Sequence, residues 1–167
     1  MNPSLKAGLG LAALILAVDQ ASKWWILEVL QLPALGHVPL LALGPIGFDL
    51  TMVWNRGVTF GLLSGQGAWH HLFLAGVAVV VALFLLRWMA RAETRGIALA
   101  LGTVIGGAVG NVIDRLRFGA VADFLDLHAW GWHWYVFNVA DAAIVCGVLF
   151  LVGDALIRPE RKRKETP

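Results

Sequence analysis

The chain has 167 residues, of which 59% are hydrophobic and 14% charged, and its formal net charge at pH 7 is +2. Soluble domains carry about 25% charged residues, so this composition excludes an ordinary soluble domain and indicates a membrane protein. The length suits a single domain over residues 1–167, and nucleic-acid binding is a poor explanation of the basic residues in so apolar a chain.

Four apolar segments are long enough to cross the hydrocarbon of a bilayer, which takes about 20 residues. We predict spans at about 7–27, 68–86, 96–113 and 134–153. The first resembles the start of a signal peptide. We expect it to be retained, because no clean cleavage site follows and it carries the polar residues Asp19, Gln20 and Lys23.

The basic residues are distributed unevenly about these spans. Nine precede the first span, join the second to the third, or follow the fourth, whereas the segments 31–67 and 114–133 hold only Arg56, Arg115 and Arg117. Because cytoplasmic loops are enriched in Lys and Arg, we predict that both termini are cytoplasmic. The segments 31–67 and 114–133 are then on the outer face.

The outer segments contain features of their own. Residues 48–55 are rich in β-formers and precede Arg56 and Gly57, which predicts a strand followed by a turn. The run HAWGWHWY (128–135) is typical of aromatic anchoring at a membrane interface. A metal site is disfavoured, because the spacing of His128 and His133 fits one helical face poorly and only His70 and His71 lie near a span end.

Polar residues of three spans converge at one depth. With a helical rise of about 1.5 Å per residue, Asp19 and Asp141 both lie about 10 Å below the outer face, and Asp114 ends the third span. The pairs Asp19/Lys23, Asn111/Asp114 and Asn138/Asp141 are three or four residues apart, so each pair shares a helix face. Two structural explanations remain open, an ion pair of Asp19 with Lys23 and interhelical hydrogen bonds of the asparagines.

Small residues recur every four positions in the third span, at Ala98, Gly102, Gly106 and Gly110. This pattern favours a close helix–helix contact. The single cysteine, Cys146, lies in an apolar segment, and we interpret it as a small buried side chain, because a reactive thiolate needs an accessible, electropositive setting.

Two further aspartates lie between the third and fourth spans. We interpret Asp126 as a solvated loop charge, whereas the apolar neighbours of Asp123 predict a segment folded back against the membrane surface. If Asp123 meets Asp141, two carboxylates share an apolar site, and one of them keeps its proton near neutral pH. Such a pair supplies an acid and a base.

Five blocks of the sequence resemble the signature motifs of lipoprotein signal peptidase (signal peptidase II), a family of aspartic proteases of bacterial plasma membranes. They are DQASK (19–23), NRGVTFG (55–61), GGAVGNVIDR (106–115), GAVADF (119–124) and FNVAD (137–141). The resemblance implies an all-α membrane protein with four transmembrane helices, and with a small β-rich platform and a loop on the outer face. It implies cleavage of a lipidated prolipoprotein just before the cysteine that carries diacylglycerol, with no metal or organic cofactor.

The resemblance also implies roles for particular residues. The catalytic pair maps onto Asp123 and Asp141, and Arg115 would donate to carbonyls of the substrate backbone. The supporting residues would be Asp19, Lys23, Asn55, Gly57, Asn111, Asp114, Arg115 and Asn138. Val58 and Thr59 depart from the family pattern, which usually has two small residues there, and predict altered packing near the pocket. We expect the enzyme to act as a monomer among membrane lipids.

The alternative is a small proton-coupled transporter or channel subunit, in which Asp19, Lys23 and Asp141 form a relay. Transporters commonly contain repeated halves, but the first and last pairs of spans share no motif. A purely structural subunit leaves the aspartates and asparagines unexplained.

Overall fold

The computed structural model describes residues 3–57 and 69–164, with side chains as far as residue 157. The described residues do not include Val58 and Thr59, the rest of the NRGVTFG block after Gly57, or the end of the 31–67 segment. The expectation of altered packing at Val58 and Thr59 therefore stays a prediction.

Long helices form most of the described structure. They are α1 (Pro3–Trp24, continued by a π-helical turn Trp25–Val29), α3 (His70–Ala90), α4 (Arg95–Phe118) and α5 (Val139–Lys164), with a short α2 (Leu32–Leu35) after the first. Within the ranges described, four helices are long and apolar enough to cross a membrane. The prediction of four spans is thus confirmed, although several boundaries differ from the expected ones, and two of these differences affect the position of an aspartate.

Helix α4 continues one turn beyond its predicted end. It stops at Phe118, where Gly119 adopts a left-handed conformation (φ +70°) and donates its N–H to the Arg115 carbonyl at 3.0 Å. Glycine is favoured there because it has no Cβ to oppose a positive φ. Asp114 consequently lies inside the helix, four residues before its end, and not at its last turn.

Helix α5 begins at Val139, five residues later than the predicted span. The aromatic residues before it are not helical, and Phe137 exchanges backbone hydrogen bonds with Leu125 at 2.8 and 3.0 Å. Hydropathy does not distinguish an apolar helix from an apolar extended segment. The shift places Asp141 in the first turn of α5.

The predicted β-rich platform is a four-stranded antiparallel sheet in the order β1-β2-β3-β4. Its strands are β1 (His37–Leu43), β2 (Ile46–Asn55), β3 (Val121–Ala129) and β4 (Trp132–His133). Strand β2 contains the predicted strand 48–55, and Gly57 after it has φ +84°, which confirms the turn. Leu50 and Phe124 of the sheet pack against Ile26 in the π-helical turn that ends the first helix and against Leu32 of α2.

Helix α4 lies between its neighbours and contacts α1, α3 and α5. The predicted small-residue seam faces α1, because a Cβ added at Gly102 would meet the Gly8 backbone and one added at Gly106 would meet Ala12 and Ile15. Ala98 is fully buried on the same face. The close helix contact is therefore confirmed.

The seam predicts that Gly106→Ala lowers the thermal unfolding midpoint, because the new Cβ has no space against Ala12. Overpacking of this kind costs roughly 1–3 kcal/mol. The midpoint is measured by circular dichroism in detergent. The matched control is Gly10→Ala in α1, where an added Cβ has open space, and equal midpoints for the two variants would contradict the close contact.

Candidate active site

A buried lysine ties α1 to α4. The Lys23 Nζ lies 2.9 Å from Asp19 Oδ2 and 2.8 Å from Asp114 Oδ2, and it donates to Asn111 Oδ1 at 3.2 Å. Lys23, Asp19 and Asp114 are each no more than 2% exposed. The ion pair expected between Asp19 and Lys23 is confirmed, and Asp114 adds a second carboxylate to it.

The same carboxylates reach α5 and the sheet. Asp19 Oδ1 accepts the Ala140 N–H at 3.0 Å, and Asp114 Oδ2 accepts the Ala122 N–H at 3.2 Å. The contact of Asp19 with the first turn of α5 places Asp19 beside that turn, which also carries Asp141. Their common depth below the outer face stays a prediction. At Gly110 the backbone of α4 lies directly against the Asp19 carboxylate, because a Cβ added there would meet that carboxylate.

Gln20 belongs to this cluster, although the sequence reasoning did not select it. Its amide donates to Asp19 Oδ2 and to Asp114 Oδ1, each at 3.1 Å. Gln20 lies next to Asp19 and three residues from Lys23, so the shared helix face was the signal that could have identified it.

Asp123 and Asp141 line one cavity. Asp123 comes from β3 and is 1% exposed, while Asp141 comes from the first turn of α5. The segment around Asp123 is a strand of the sheet, held by β2 on one side and by Phe137 near the other. The tertiary structure thus brings together the two aspartates that the sequence analysis paired.

Three asparagines hold these two carboxylates. Asn55 Nδ2 donates to Asp123 Oδ2 at 3.0 Å, and Asn138 Nδ2 donates to Asp123 Oδ1 at 2.6 Å. Asn111 Nδ2 donates to Asp141 Oδ1 at 2.8 Å. Asn138 also donates to Asn111 Oδ1 at 3.3 Å, which confirms the expected hydrogen bond between helices α4 and α5.

The local sequence explains how two of these asparagines are oriented. Asn138 precedes α5, and its Oδ1 accepts the Asp141 N–H at 2.9 Å, as in a helix N-cap. Asn55 ends β2, and its Oδ1 accepts the Gly57 N–H at 2.8 Å across the turn. Gly57 therefore supports the site by permitting a turn that fixes Asn55.

Burial raises the pKa of the Asp123 carboxyl to about 6. The nearby Asp141 acts in the same direction, while the hydrogen bonds from Asn55 and Asn138 and the more distant Lys23 oppose the shift. The cause is that an apolar setting and a like charge both disfavour the ionised form. Asp123 thus titrates close to neutral pH, where a group that accepts and returns protons is most useful.

Arg115 lies near the end of α4, and its donation to substrate carbonyls, which the resemblance implies, stays a prediction. Its Nη1 donates to the Asn111 carbonyl at 3.3 Å, and it is not among the residues that line the cavity. Arg56, which the sequence reasoning counted only for orientation, does line it. Its place directly after Asn55 in the second block was the available signal.

The cavity has a volume of about 1180 Å³ and mostly apolar walls. Strand β2 contributes Val53 and Trp54, the segment before α5 contributes residues 134–137, and α5 contributes Ala142, Val145 and Cys146. Cys146 is exposed, so its interpretation as a buried side chain is wrong. The thiol lies on a face of α5 that no other described element covers.

A second polar cluster lies on the sheet, away from the aspartate pair. Asp126 is 4% exposed, accepts the Thr51 hydroxyl at 2.8 Å and contacts His133 Nδ1 at 3.0 Å, so its interpretation as a solvated loop charge is wrong. Burial acts to raise the pKa of Asp126, but the hydrogen bonds from His133 and Thr51 hold it below its usual value.

His128 hydrogen-bonds Asp49 at 3.0 Å and its ring stacks on that of His133. Across the described ranges, no three His, Cys, Asp or Glu side chains are grouped to hold a metal ion.

Comparison with known proteins matches nearly the whole chain. Residues 11–157 match the family described as signal peptidase (SPase) II. A lipoprotein signal peptidase of Methylobacterium sp. (strain 4-46) is 48% identical, with 96% of this chain and 99% of the relative aligned. A second, from Rhodopseudomonas palustris (strain TIE-1), is 42% identical over 94% of this chain and 95% of its own.

The fold also has a solved counterpart. A bacterial membrane enzyme determined by the in meso method at 2.3 Å resolution superposes with a TM-score of 0.75, covering 96% of this chain and 93% of that one at 24% identity. At this identity the likeness shows the fold alone.

The comparisons give no support to the transporter alternative. Taken with four membrane helices and an internal aspartate pair, they show that the chain belongs to the signal peptidase II family of bacterial inner-membrane aspartic peptidases, which remove signal peptides from prolipoproteins.

Proposed function

We propose that Asp123 and Asp141 are the catalytic pair of this peptidase, which cuts the prolipoprotein just before the cysteine that carries diacylglycerol. The observation that carries the proposal is the single cavity lined by both carboxylates, each held by asparagine N–H groups. The arrangement supplies a base and an acid to one peptide bond.

The reaction begins with attack of water on the scissile carbonyl carbon. The ionised aspartate takes a proton from the water while the protonated one gives its proton to the carbonyl oxygen, so that a tetrahedral diol forms. The C–N bond then breaks as the first aspartate protonates the leaving amine, and a diol hydroxyl returns its proton to the second. The products are the carboxylic acid of the signal peptide and the free amine of the cysteine, and both aspartates regain their starting states.

The substrate reaches the site laterally, from within the bilayer. The cavity wall on α5 is formed by Ala142, Val145 and Cys146, and Val145 is 55% exposed. This wall lies along the outer part of a membrane helix, so acyl chains and an apolar signal helix can lie against it without entering water.

The supporting residues hold the pair either by direct hydrogen bonds or through the packing of the helices and the sheet. Lys23, Asp19 and Asp114 connect α1, α4, α5 and the sheet, and Asn55, Asn111 and Asn138 donate to the dyad. Arg115 lies close enough for its charge to interact with both aspartates. It stabilises the negative charge of the pair, while Arg56 is the cavity arginine available to substrate carbonyls.

The enzyme is oriented with both termini in the cytoplasm and the sheet on the outer face. The uneven distribution of Lys and Arg supports this orientation. The described connection between α3 and α4 contains Arg91, with Arg87 and Arg95 in the adjacent helix turns. The aspartate pair lies beside the C-terminal end of α4 and the N-terminal end of α5, away from the connection between α3 and α4. In this orientation the pair is near the outer surface.

Asp123→Asn and Asp141→Asn are each expected to reduce turnover of a lipidated prolipoprotein by about 10²–10⁴-fold, the range that a general acid or base contributes. Cleavage is measured by the gel shift of the processed lipoprotein. The matched control is Asp126→Asn, three residues further along β3, which should retain turnover because Asp126 bonds Thr51 and His133 outside the cavity. Full turnover by Asp141→Asn would refute the assignment.

The pKa of Asp123 predicts the pH dependence of cleavage. The charge of Asp141 is one cause of the raised pKa, so Asp141 is ionised while Asp123 still carries its proton. Above about pH 6 Asp123 ionises as well and the pair has no acid left, so kcat/KM should fall as the pH rises through this value. Initial rates between about pH 4.5 and 7.5, which is about 1.5 units either side of the midpoint, are measured in mixed micelles for this purpose. A profile that is flat across pH 6 would count against Asp123 as the ionisable acid of the pair.

The orientation predicts which introduced thiols an impermeant maleimide can reach in intact spheroplasts. In a Cys146→Ser background, Trp132→Cys on the exposed hairpin should react from outside, whereas Arg91→Cys should react only after permeabilisation. Trp132 is 76% exposed and Arg91 is also exposed, so both positions are accessible on the protein itself. The reverse pattern of labelling would place the sheet in the cytoplasm.

A further inference from the structure

Strand β2 runs past the start of β1 and therefore has a free edge beside the aspartate pair. Strand β1 begins at His37, opposite Thr51, and the chain before it turns into α2. Beyond this point β2 continues to Asn55 and stays paired with β3 on its other side. Within residues 3–57 and 69–164, no strand lies against β2 at Trp54 on the side of β1.

The backbone groups of Trp54 point to this free edge. Trp54 lies opposite Ala122 of β3. The N–H of Ala122 donates to Asp114 at 3.2 Å, and its carbonyl accepts from Asn138 at 3.4 Å. Opposed residues of an antiparallel ladder alternate between pairs that exchange both backbone hydrogen bonds and pairs that exchange none. Trp54 and Ala122 are a pair of the second kind, so the N–H and C=O of Trp54 point away from β3.

Met52, two residues before Trp54, has the same backbone direction. Its N–H donates to the Gly36 carbonyl at 2.9 Å, on the side of β1. Because the direction repeats every second residue along a strand, Trp54 continues the row of backbone groups that pairs with β1 up to this point. The indole of Trp54 packs against Phe118 at the end of α4, with ring centroids 5.3 Å apart, which holds this part of the edge in place.

The free edge opens into the cavity of the aspartate pair, which Val53 and Trp54 line. Val53 lies opposite Asp123 in the register, so the two side chains are on the same face of the sheet. The start of α5 lies on the other side of β3, where Asn138 donates to the carbonyl of Ala122. The aspartate pair therefore lies between the α5 wall of the cavity and the free edge of β2.

We propose that the free edge of β2 binds the segment of the prolipoprotein that follows the lipidated cysteine, as an added strand held by the N–H and C=O of Trp54. The inference rests on the proposed function and adds a subsite to the same cavity. With the signal helix against α5, a chain that crosses the aspartates next reaches β2. An added strand lies two spacings of about 4.8 Å from β3, and an extended chain advances about 3.3 Å per residue. The bound residue is then about the third of the mature chain, counting the cysteine as the first.

Binding of this kind contacts the backbone of the added segment and not a particular side chain. Every residue except proline carries both the N–H and the C=O with which Trp54 would pair. The subsite therefore accepts any residue type other than proline at the bound position.

The first test uses the enzyme without substitutions and a series of lipopeptides in which one backbone amide at a time is replaced by an ester, from about three residues before the cysteine to about five after it. The scissile amide is left intact, and each ester removes one N–H donor. The ester at about the third residue of the mature chain should lower kcat/KM about fivefold, the loss expected of one hydrogen bond. Esters at the adjacent positions, whose N–H groups would point away from β2, should lower it by less than about twofold.

The second test removes the donor on the enzyme. Trp54→Pro deletes the N–H that would donate to the substrate, at an edge position where a proline removes no hydrogen bond of the ladder. The matched control is Trp54→Ala, which loses the same indole but keeps the N–H. For a long lipopeptide, kcat/KM should be about fivefold lower in the proline variant than in the alanine variant. A lipopeptide that ends at the cysteine, as an amide, should be cleaved equally by both, and thermal midpoints show that both variants are folded.

A series in which no ester lowers kcat/KM by more than about twofold would overturn the subsite, and so would an effect confined to residues before the cysteine. An equal difference between the proline and alanine variants on the long and the short lipopeptide would also overturn it. None of these outcomes affects the proposed function of the aspartate pair. That function fails if Asp123→Asn and Asp141→Asn retain turnover, whatever the ester series shows.

Discussion

The buried ammonium of Lys23 is the contact on which the arrangement of the helices and of the site depends. It is bonded to two carboxylates and one amide, from α1 and α4, and none of the three charged groups is more than 2% exposed. Charges removed from water are tolerated only when they are paired and fully hydrogen-bonded. Asp19 meets this condition by also accepting from α5, and Asp114 by accepting from the sheet. One cation thus specifies the relative positions of three helices and a strand.

This cluster and the glycine seam are two parts of one constraint. The charges can meet only if the backbones of α1 and α4 approach closely, and at Gly110 a side chain would occupy the space of the Asp19 carboxylate. Within lipid, burial of apolar side chains between helices gives little driving force, so close packing and polar contacts decide which helices associate. The small residues permit the approach, and the polar layer fixes its register. The same layer then continues through Asn111 to Asp141 and through Asn138 to Asp123.

The site is held at a cost in stability. Because the pKa of Asp123 is raised to about 6 in the folded protein, the folded state binds this proton more tightly than the unfolded state does. Its contribution to stability is therefore greatest at acidic pH and is lost as the pH rises towards 6. The sheet and the asparagines retain the carboxylate in this unfavourable setting, as is common for groups that must exchange protons near neutral pH.

Much of this could be predicted from the sequence, because membrane spans, helix-face spacing and short motifs are local properties of the chain. The four spans, the strand before Gly57, the small-residue seam and the Asp19–Lys23 pair were determined in this way. The burial of Asp126, the exposure of Cys146 and the start of α5 at Val139 were not, because each depends on which distant element lies alongside. Phe137 is extended only because Leu125 is there to pair with it. Likewise, sequence spacing placed the asparagines near the aspartates, but only the tertiary structure decided which end of each amide faces a carboxylate. The reason is that each amide is oriented by a group outside its own side chain. Lys23 of another helix orients Asn111, the N–H of Asp141 in the first turn of α5 orients Asn138, and the N–H of Gly57 in a turn orients Asn55.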